Sequence, residues 1–169
     1  MREERRRWRV FVLHSVAMAY GHVPDVVSLA PGAENNGFAT MLAELLRQNL
    51  EAKPHKLRDL RALHGTVALV ADDAEVAVTL EFVGEQLIVH DGIRNVPDVT
   101  LRGPADTLMA MSNMPVRYGL PIPRRDEPEE LALVNDVFAK MKSGALKSYG
   151  SLLRPGFMLR LTRVMSVNG

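Results

Sequence analysis

An α+β fold is predicted for this chain of 169 residues by three observations. Apolar and polar residues alternate from Glu75 to Phe82, a second alternating run follows a Gly84-Glu85 turn, and a third run leads directly into a helix. In the first run Val76, Val78, Leu80 and Phe82 share one side, while Glu75, Thr79 and Glu81 share the other. That period of two is expected of a half-buried antiparallel strand. Gln86 to His90 makes the second strand of a hairpin, Asp91-Gly92 breaks it, and Asp98 to Leu101 makes the third. Gly103-Pro104 then opens a helix with proline in its first turn.

The remaining elements are read in chain order. Arg5-Arg6-Arg7 before the apolar stretch Val10 to Ala19 superficially resembles a secretory signal peptide. His14 and Ser15 interrupt that stretch and Glu3 and Glu4 dilute the basic start, so an N-terminal helix or arm is the expectation. No run approaches the roughly 18 apolar residues of a membrane span, and a soluble protein is expected. Pro24 to Gly37, with two prolines, two glycines and the Asn36-Gly37 turn pair, reads as a linker. Residues 1–37 are therefore read as an extension and linker, and 38–169 as the domain.

From Phe38 the spacing becomes helical: Phe38, Met41, Leu42, Leu45, Leu46 and Leu50 recur at three and four. Pro54 ends that helix, and Leu57, Leu60 and Leu63 mark a short second one. Thr66 to Ala71 is nearly all apolar, as a central strand covered on both sides would be. Asn113 to Pro128 holds four prolines and a glycine, a long segment without regular structure, and such loops are often functional. Glu129 to Met141 is a helix with Leu131, Val134, Val137, Phe138 and Met141 on one side. Phe157 to Met165 is the last helix.

Taken in order, several motifs resemble the sterol carrier protein 2 (SCP-2) lipid-transfer family. They are the His64-Gly65-Thr66-Val67 lead-in to a strand, the LEFVGEQLIV hairpin, the Pro97-Asp98-Val99-Thr100-Leu101 strand and the Ala105-Asp106-Thr107-Leu108 helix start. A late strand within Gly144 to Gly150, before the final helix, completes the order. The resemblance spans roughly Phe38 to Val167 and lies in the succession of weak motifs rather than in any one of them. It implies an SCP-2-like, about five-stranded, mostly antiparallel sheet with helices over one face, enclosing an apolar cavity for lipids or fatty acyl chains.

Composition narrows the function classes. At 47% hydrophobic the chain can bury a substantial core. It has no cysteine, which removes disulfides, thiolate zinc sites and a cysteine nucleophile. A cytoplasmic location is the expectation, with other compartments left open. A net charge of +1 argues against nucleic acid as a partner, although no acidic residue follows Asp136 and the tail is basic. None of the histidines, at 14, 22, 55, 64 and 90, makes the i, i+4 spacing of a helical metal pair, so no metal and no cofactor are expected.

Nucleophile and phosphate motifs fail in turn. Lys142 to Ser148 has the outline of a phosphate loop, but Leu146 stands where a glycine must precede the lysine. Gly150-Ser151-Leu152 is no nucleophile elbow. Asp72 and Asp73 would point to opposite sides of a strand and cannot share a proton as a catalytic dyad does, so a solvated turn is expected. No enzyme activity is predicted.

Two positive features remain. Met109, Met111, Met114, Met141, Met158 and Met165 gather in the second half, where flexible, polarisable side chains suit a cavity that adapts to different ligands; they are also ordinary core filler. In the last helix Phe157, Met158, Leu161, Val164 and Met165 oppose Arg154, Arg160 and Arg163. Such a helix can make transient contact with an anionic membrane, or pack in the core with a solvated basic face. Placed by the family's strands and helices, the cavity would be lined by Val78, Leu80, Phe82, Leu87, Val89 and Leu101 from the sheet. The covering helices would add Met109, Phe138, Met141, Phe157, Met158, Leu161 and Met165. A carrier of fatty acyl or sterol-like ligands is the leading expectation; the alternative is a non-catalytic accessory protein that presents a lipid-like intermediate, such as a quinone precursor, to biosynthetic enzymes.

Overall fold

The computed structural model describes residues 26–118 and 120–168. The N-terminal helix or arm expected before Pro24 lies outside the described residues. Six strands form one open mixed sheet: β1 (Val27–Leu29), β2 (Gly65–Ala71), β3 (Val76–Val83), β4 (Gln86–Asp91), β5 (Val99–Gly103) and β6 (Lys147–Tyr149). Their order is β1-β4-β3-β2-β5-β6. The helices are α1 (Gly37–Ala52), α2 (Leu57–Arg61), α3 (Ala105–Ala110), α4 (Pro128–Ser143) and α5 (Pro155–Met165).

The expected hairpin, the central position of β2 and the strand-to-helix step at Gly103-Pro104 are all present. Pairing is antiparallel for β2–β3, β3–β4 and β5–β6, and parallel for β1–β4 and β2–β5. The sixth strand is the correction. Val27–Leu29 belongs to the stretch read as a linker, yet it runs beside Leu87–Val89, and Val26, Val27 and Ala33 are buried. Three residues between turn formers carry no legible period; it is the exposed edge of β4 that gives this segment its backbone partners.

Strand alternation sorts the sheet into two unlike faces. Leu80 lies opposite both Val67 and Val89, Val78 opposite Leu69, and Phe82 opposite Leu87, and all are buried. Helix α1 covers the β1, β3 and β4 side of this face, and α2 and α5 pack beside it. On the other face the β4–β5 connection crosses Thr79, whose hydroxyl donates to the Gly92 carbonyl at 2.8 Å and accepts from the Arg94 N–H at 3.0 Å. Nearby His90 and Glu81 lie 2.6 Å apart. Helices on one face and polar chemistry on the other follow from the period of two.

Local sequence explains how α1 is seated. Asn36 is its N-cap, its side-chain oxygen accepting from Phe38 and Ala39 N–H at 3.0 and 3.2 Å. The same amide donates to Asp91 at 2.6 Å and to the Ala77 carbonyl at 3.2 Å, which ties the helix start to β3 and β4. Phe38, Leu42, Leu46 and Leu50 then face the sheet.

Three donors from the far end of this region hold the end of α5. Asn49 Nδ2 donates to the Met165 carbonyl at 2.7 Å, Lys53 Nζ to Val167 at 2.8 Å, and the buried Lys56 Nζ to Ser166. These carbonyls lack partners within the helix itself. Burial, and secondarily the like charge of Lys53, lowers the Lys56 pKa from 10.5 to about 8, against the opposing pull of Asp59. Between those two values the folded chain has released a proton that the unfolded chain still binds, so stability contributed by this site rises with pH. Urea unfolding of wild type and Lys56→Met at pH 7.5 and pH 10 should show wild type gaining on the order of 2–3 kcal/mol relative to the variant. A pH-independent difference would mean that the proton is not lost on folding.

Candidate functional site

An apolar cleft of about 380 Å³ opens where the sheet ends at β5 and β6. Leu101 of β5 and Ser148 of β6, which are register partners, form its floor. Met158, Leu159 and Thr162 of α5 form one wall, and Met141 at the end of α4 contributes to the other. Met111, from the 3-10 turn after α3, and Pro121 complete the enclosure. A smaller pocket of about 70 Å³ shares Leu101, Met111, Pro121, Met158 and Thr162 with it and continues toward Leu161 and Met165.

Among the described residues no ionisable side chain lines either space. Their polar side chains are the hydroxyls of Ser148, Ser151 and Thr162, and the Thr162 hydroxyl already donates to the Met158 carbonyl at 2.9 Å. Five of the six methionines singled out in the sequence (Met111, Met114, Met141, Met158 and Met165) line the two spaces. Met109 instead packs, partly buried, against the core.

Asp98 sets the position of one wall. Its carboxylate accepts from Thr66 N–H at 2.8 Å and pairs with Arg154 at 2.9 Å, so the first turn of α5 is pinned to the start of β5. The Asp98 carbonyl presses against Gly150, where an added Cβ would sit 2.1 Å from the oxygen. From this fixed point the turn Ser151–Leu153 swings Leu152 out beside the cleft.

The structure separates the residues that the sequence grouped as cavity lining. Leu101, Met141, Met158, Leu161 and Met165 meet around the cleft and its extension. Val78, Leu80, Phe82, Leu87 and Val89 do not; they are sealed in the core on the side of the sheet that α1 covers. Phe157 also lies in the core, its ring edge-on to Phe82 at 5.9 Å between centroids. Phe138, read as inward-facing, is 57% exposed, because α4 buries only Val134 and Val137. Pro121 and Leu152 had no periodic signal to reveal them, since they lie in a proline-rich loop and a single turn.

The three arginines are also placed differently from a free cationic face. Arg154 pairs with Asp98, and Arg163 and Arg160 approach Asp59 at 3.2 and 4.0 Å. Arg160 and Arg154 further reach the Ala62 and His64 carbonyls at 3.4 Å. These contacts fasten α5 to α2 and β5. The Asp72-Asp73 pair is the turn expected of it: Asp72 meets Arg102 at 2.7 Å, and Asp73 accepts from Ala105 N–H at 2.7 Å at the start of α3.

Among the described residues no group of three or more His, Cys, Asp or Glu side chains could hold a metal ion, and no helix is long and apolar enough to cross a membrane. No family model matches the chain, and no curated protein matches it in sequence. Solved structures do. The fold is similar to that of UbiJ-SCP2, a ubiquinone synthesis protein, with a TM-score of 0.52 at 15% identity over 80% of this chain and 98% of that one. Sterol carrier protein 2 from Yarrowia lipolytica, in its apo form, gives 0.46 at 13% identity over 78% and 94%. Another sterol carrier protein 2 crystal structure gives 0.45 at 12% over 78% and 93%. The chain has an SCP-2-like fold.

Proposed function

We propose that this chain is a non-catalytic lipid-binding protein that holds the apolar part of a fatty acyl or sterol-like ligand in the cleft between α5, the end of α4 and the β5–β6 edge. The observation that carries this reading is the cleft itself: about 380 Å³ of space walled mainly by leucine, methionine and proline, with no charged group among the described residues. That volume lies within the range of small-molecule sites. Each ligand methylene transferred there from water contributes about 0.8 kcal/mol, which supplies affinity without head-group selectivity. Methionine walls accommodate ligands of different shape because the side chain is unbranched and polarisable. Among the described residues the walls hold no acid, base or nucleophile other than hydroxyls, which supports binding rather than turnover.

Titration with a fluorescent acyl probe should give saturable binding. Met158→Gln, which puts an amide into the shared wall of both spaces, should weaken it roughly tenfold through an unpaired polar group. A folded protein with no saturable binding would overturn the proposal, and an unchanged affinity in Met158→Gln would remove the cleft as its site.

A second reading is favoured by the likeness in fold to a ubiquinone synthesis protein. Here the cleft presents a lipid-like intermediate, such as a quinone precursor, to biosynthetic enzymes. Mass spectrometry of lipid extracted from the purified protein separates the two readings. Acyl chains support the carrier, and a prenylated aromatic compound supports the accessory role.

A further inference from the structure

We infer that the turn Leu152-Leu153, beside the opening of the cleft, docks on an anionic bilayer surface. This rests on the reading of the cleft as a lipid site. Leu152 is 93% exposed while lining the cleft, and its neighbour Leu153 is 87% exposed. Single exposed leucines are ordinary on protein surfaces. Two in succession, at the opening of an apolar cleft, are a structured feature.

The turn is held rather than loose. Leu153 N–H donates to the Gly150 carbonyl at 3.1 Å and Arg154 N–H to Ser151 at 3.2 Å. Gly150 abuts the Asp98 carbonyl, and Pro155 begins α5 immediately afterwards. An apolar pair presented on a fixed turn loses little conformational entropy on insertion.

Charge identifies the occupant. The chain from Val137 onward carries no Asp or Glu. Lys142 follows the cleft residue Met141, whereas Lys147, the register partner of Arg102, points to the sheet face opposite Leu101, Ser148 and the cleft. Lys142 is exposed and has no ion pair among the described residues. Arg154, next to the turn, is instead neutralised by Asp98, and Lys140 by Asp136. The docking element is therefore the leucine pair with Lys142 at the cleft, not the arginines of α5. Apolar insertion beside an unpaired cation matches an anionic lipid surface, to which Lys142 adds an increment that salt screens. It also puts the opening of the cleft against the bilayer, where a ligand can pass without crossing water.

Sedimentation with phosphatidylcholine vesicles, with and without phosphatidylglycerol, tests this directly. Wild type should sediment with the anionic vesicles, more weakly at high salt. Leu153→Glu should lower that partition at least tenfold. Lys142→Gln should lower it by about fivefold on anionic vesicles, while leaving the weaker binding to phosphatidylcholine alone unchanged. Leu153 does not line the cleft, so the acyl probe measured without vesicles should bind Leu153→Glu as tightly as wild type. Failure of wild type to sediment, or equal sedimentation of Leu153→Glu, overturns the inference. The probe titration judges the cleft separately, so loss of one reading is distinguishable from loss of the other.

Discussion

Phe82→Asp is expected to leave no cooperatively folded protein at 25 °C, whereas Phe138→Asp is expected to fold and to unfold within about 0.5 kcal/mol of wild type. From sequence the two phenylalanines look equivalent, each on the apolar side of its element. Phe82 is 3% exposed, lies opposite Leu87 in the sheet and meets Phe157 edge to face. An aspartate there loses the packing of a large ring, about 3–5 kcal/mol by comparison with truncations to alanine. It also buries a carboxylate among apolar groups, which costs several kcal/mol more or forces protonation. That sum is comparable with the whole stability of a domain, about 5–15 kcal/mol. Phe138 is 57% exposed, and a carboxylate at its position remains hydrated. Circular dichroism and urea unfolding of both variants check the contrast. A folded Phe82→Asp with an unperturbed transition would contradict the packing of α5 on β3.

Gly150→Ala is expected to be the most damaging small substitution near the cleft. Gly150 has φ of 76°, in the left-handed region, where a side chain costs roughly 1–2 kcal/mol. The added methyl would also stand 2.1 Å from the Asp98 carbonyl oxygen, a backbone atom held immediately before β5. Backbone cannot rotate aside as a side chain does, so β5 and the Ser151–Leu153 turn must separate. We expect a total loss of about 3–5 kcal/mol, together with weaker acyl-probe binding, because both the floor and one wall of the cleft move. Gly84→Ala is the control. Its φ is 61°, but nothing lies within 4 Å of the new methyl, so only the conformational cost of roughly 1–2 kcal/mol remains. Thermal unfolding of the two variants measures the difference. Equal losses would show that the contact with Asp98 is readily relieved.

Much of the fold was legible in the sequence because strand alternation and helical spacing are local consequences of where water is. Val78, Leu80 and Phe82 announce a buried side, Phe38 to Leu50 a helical stripe, and Gly103-Pro104 a junction, whatever those surfaces later meet. The ordered hairpin, strand and helix were enough to point to the SCP-2-like fold. What an apolar side packs against is a different matter, and it depends on elements far away in the chain. Helix α1 closes over β3 and β4, turning Leu80, Leu87 and Val89 into plain core, while the β5–β6 edge is left open for the cleft. Helix α4 makes too few contacts to bury Phe138, and Asp98 and Asp59 claim the arginines of α5. The edge strand Val27–Leu29, the cleft residue Pro121 and the exposed Leu152-Leu153 pair lie in segments too short or too irregular to have a period. By itself the sequence determined which residues leave water; only the tertiary structure decided which of them leave it for one another and which remain available to a ligand, because that choice is made by long-range packing.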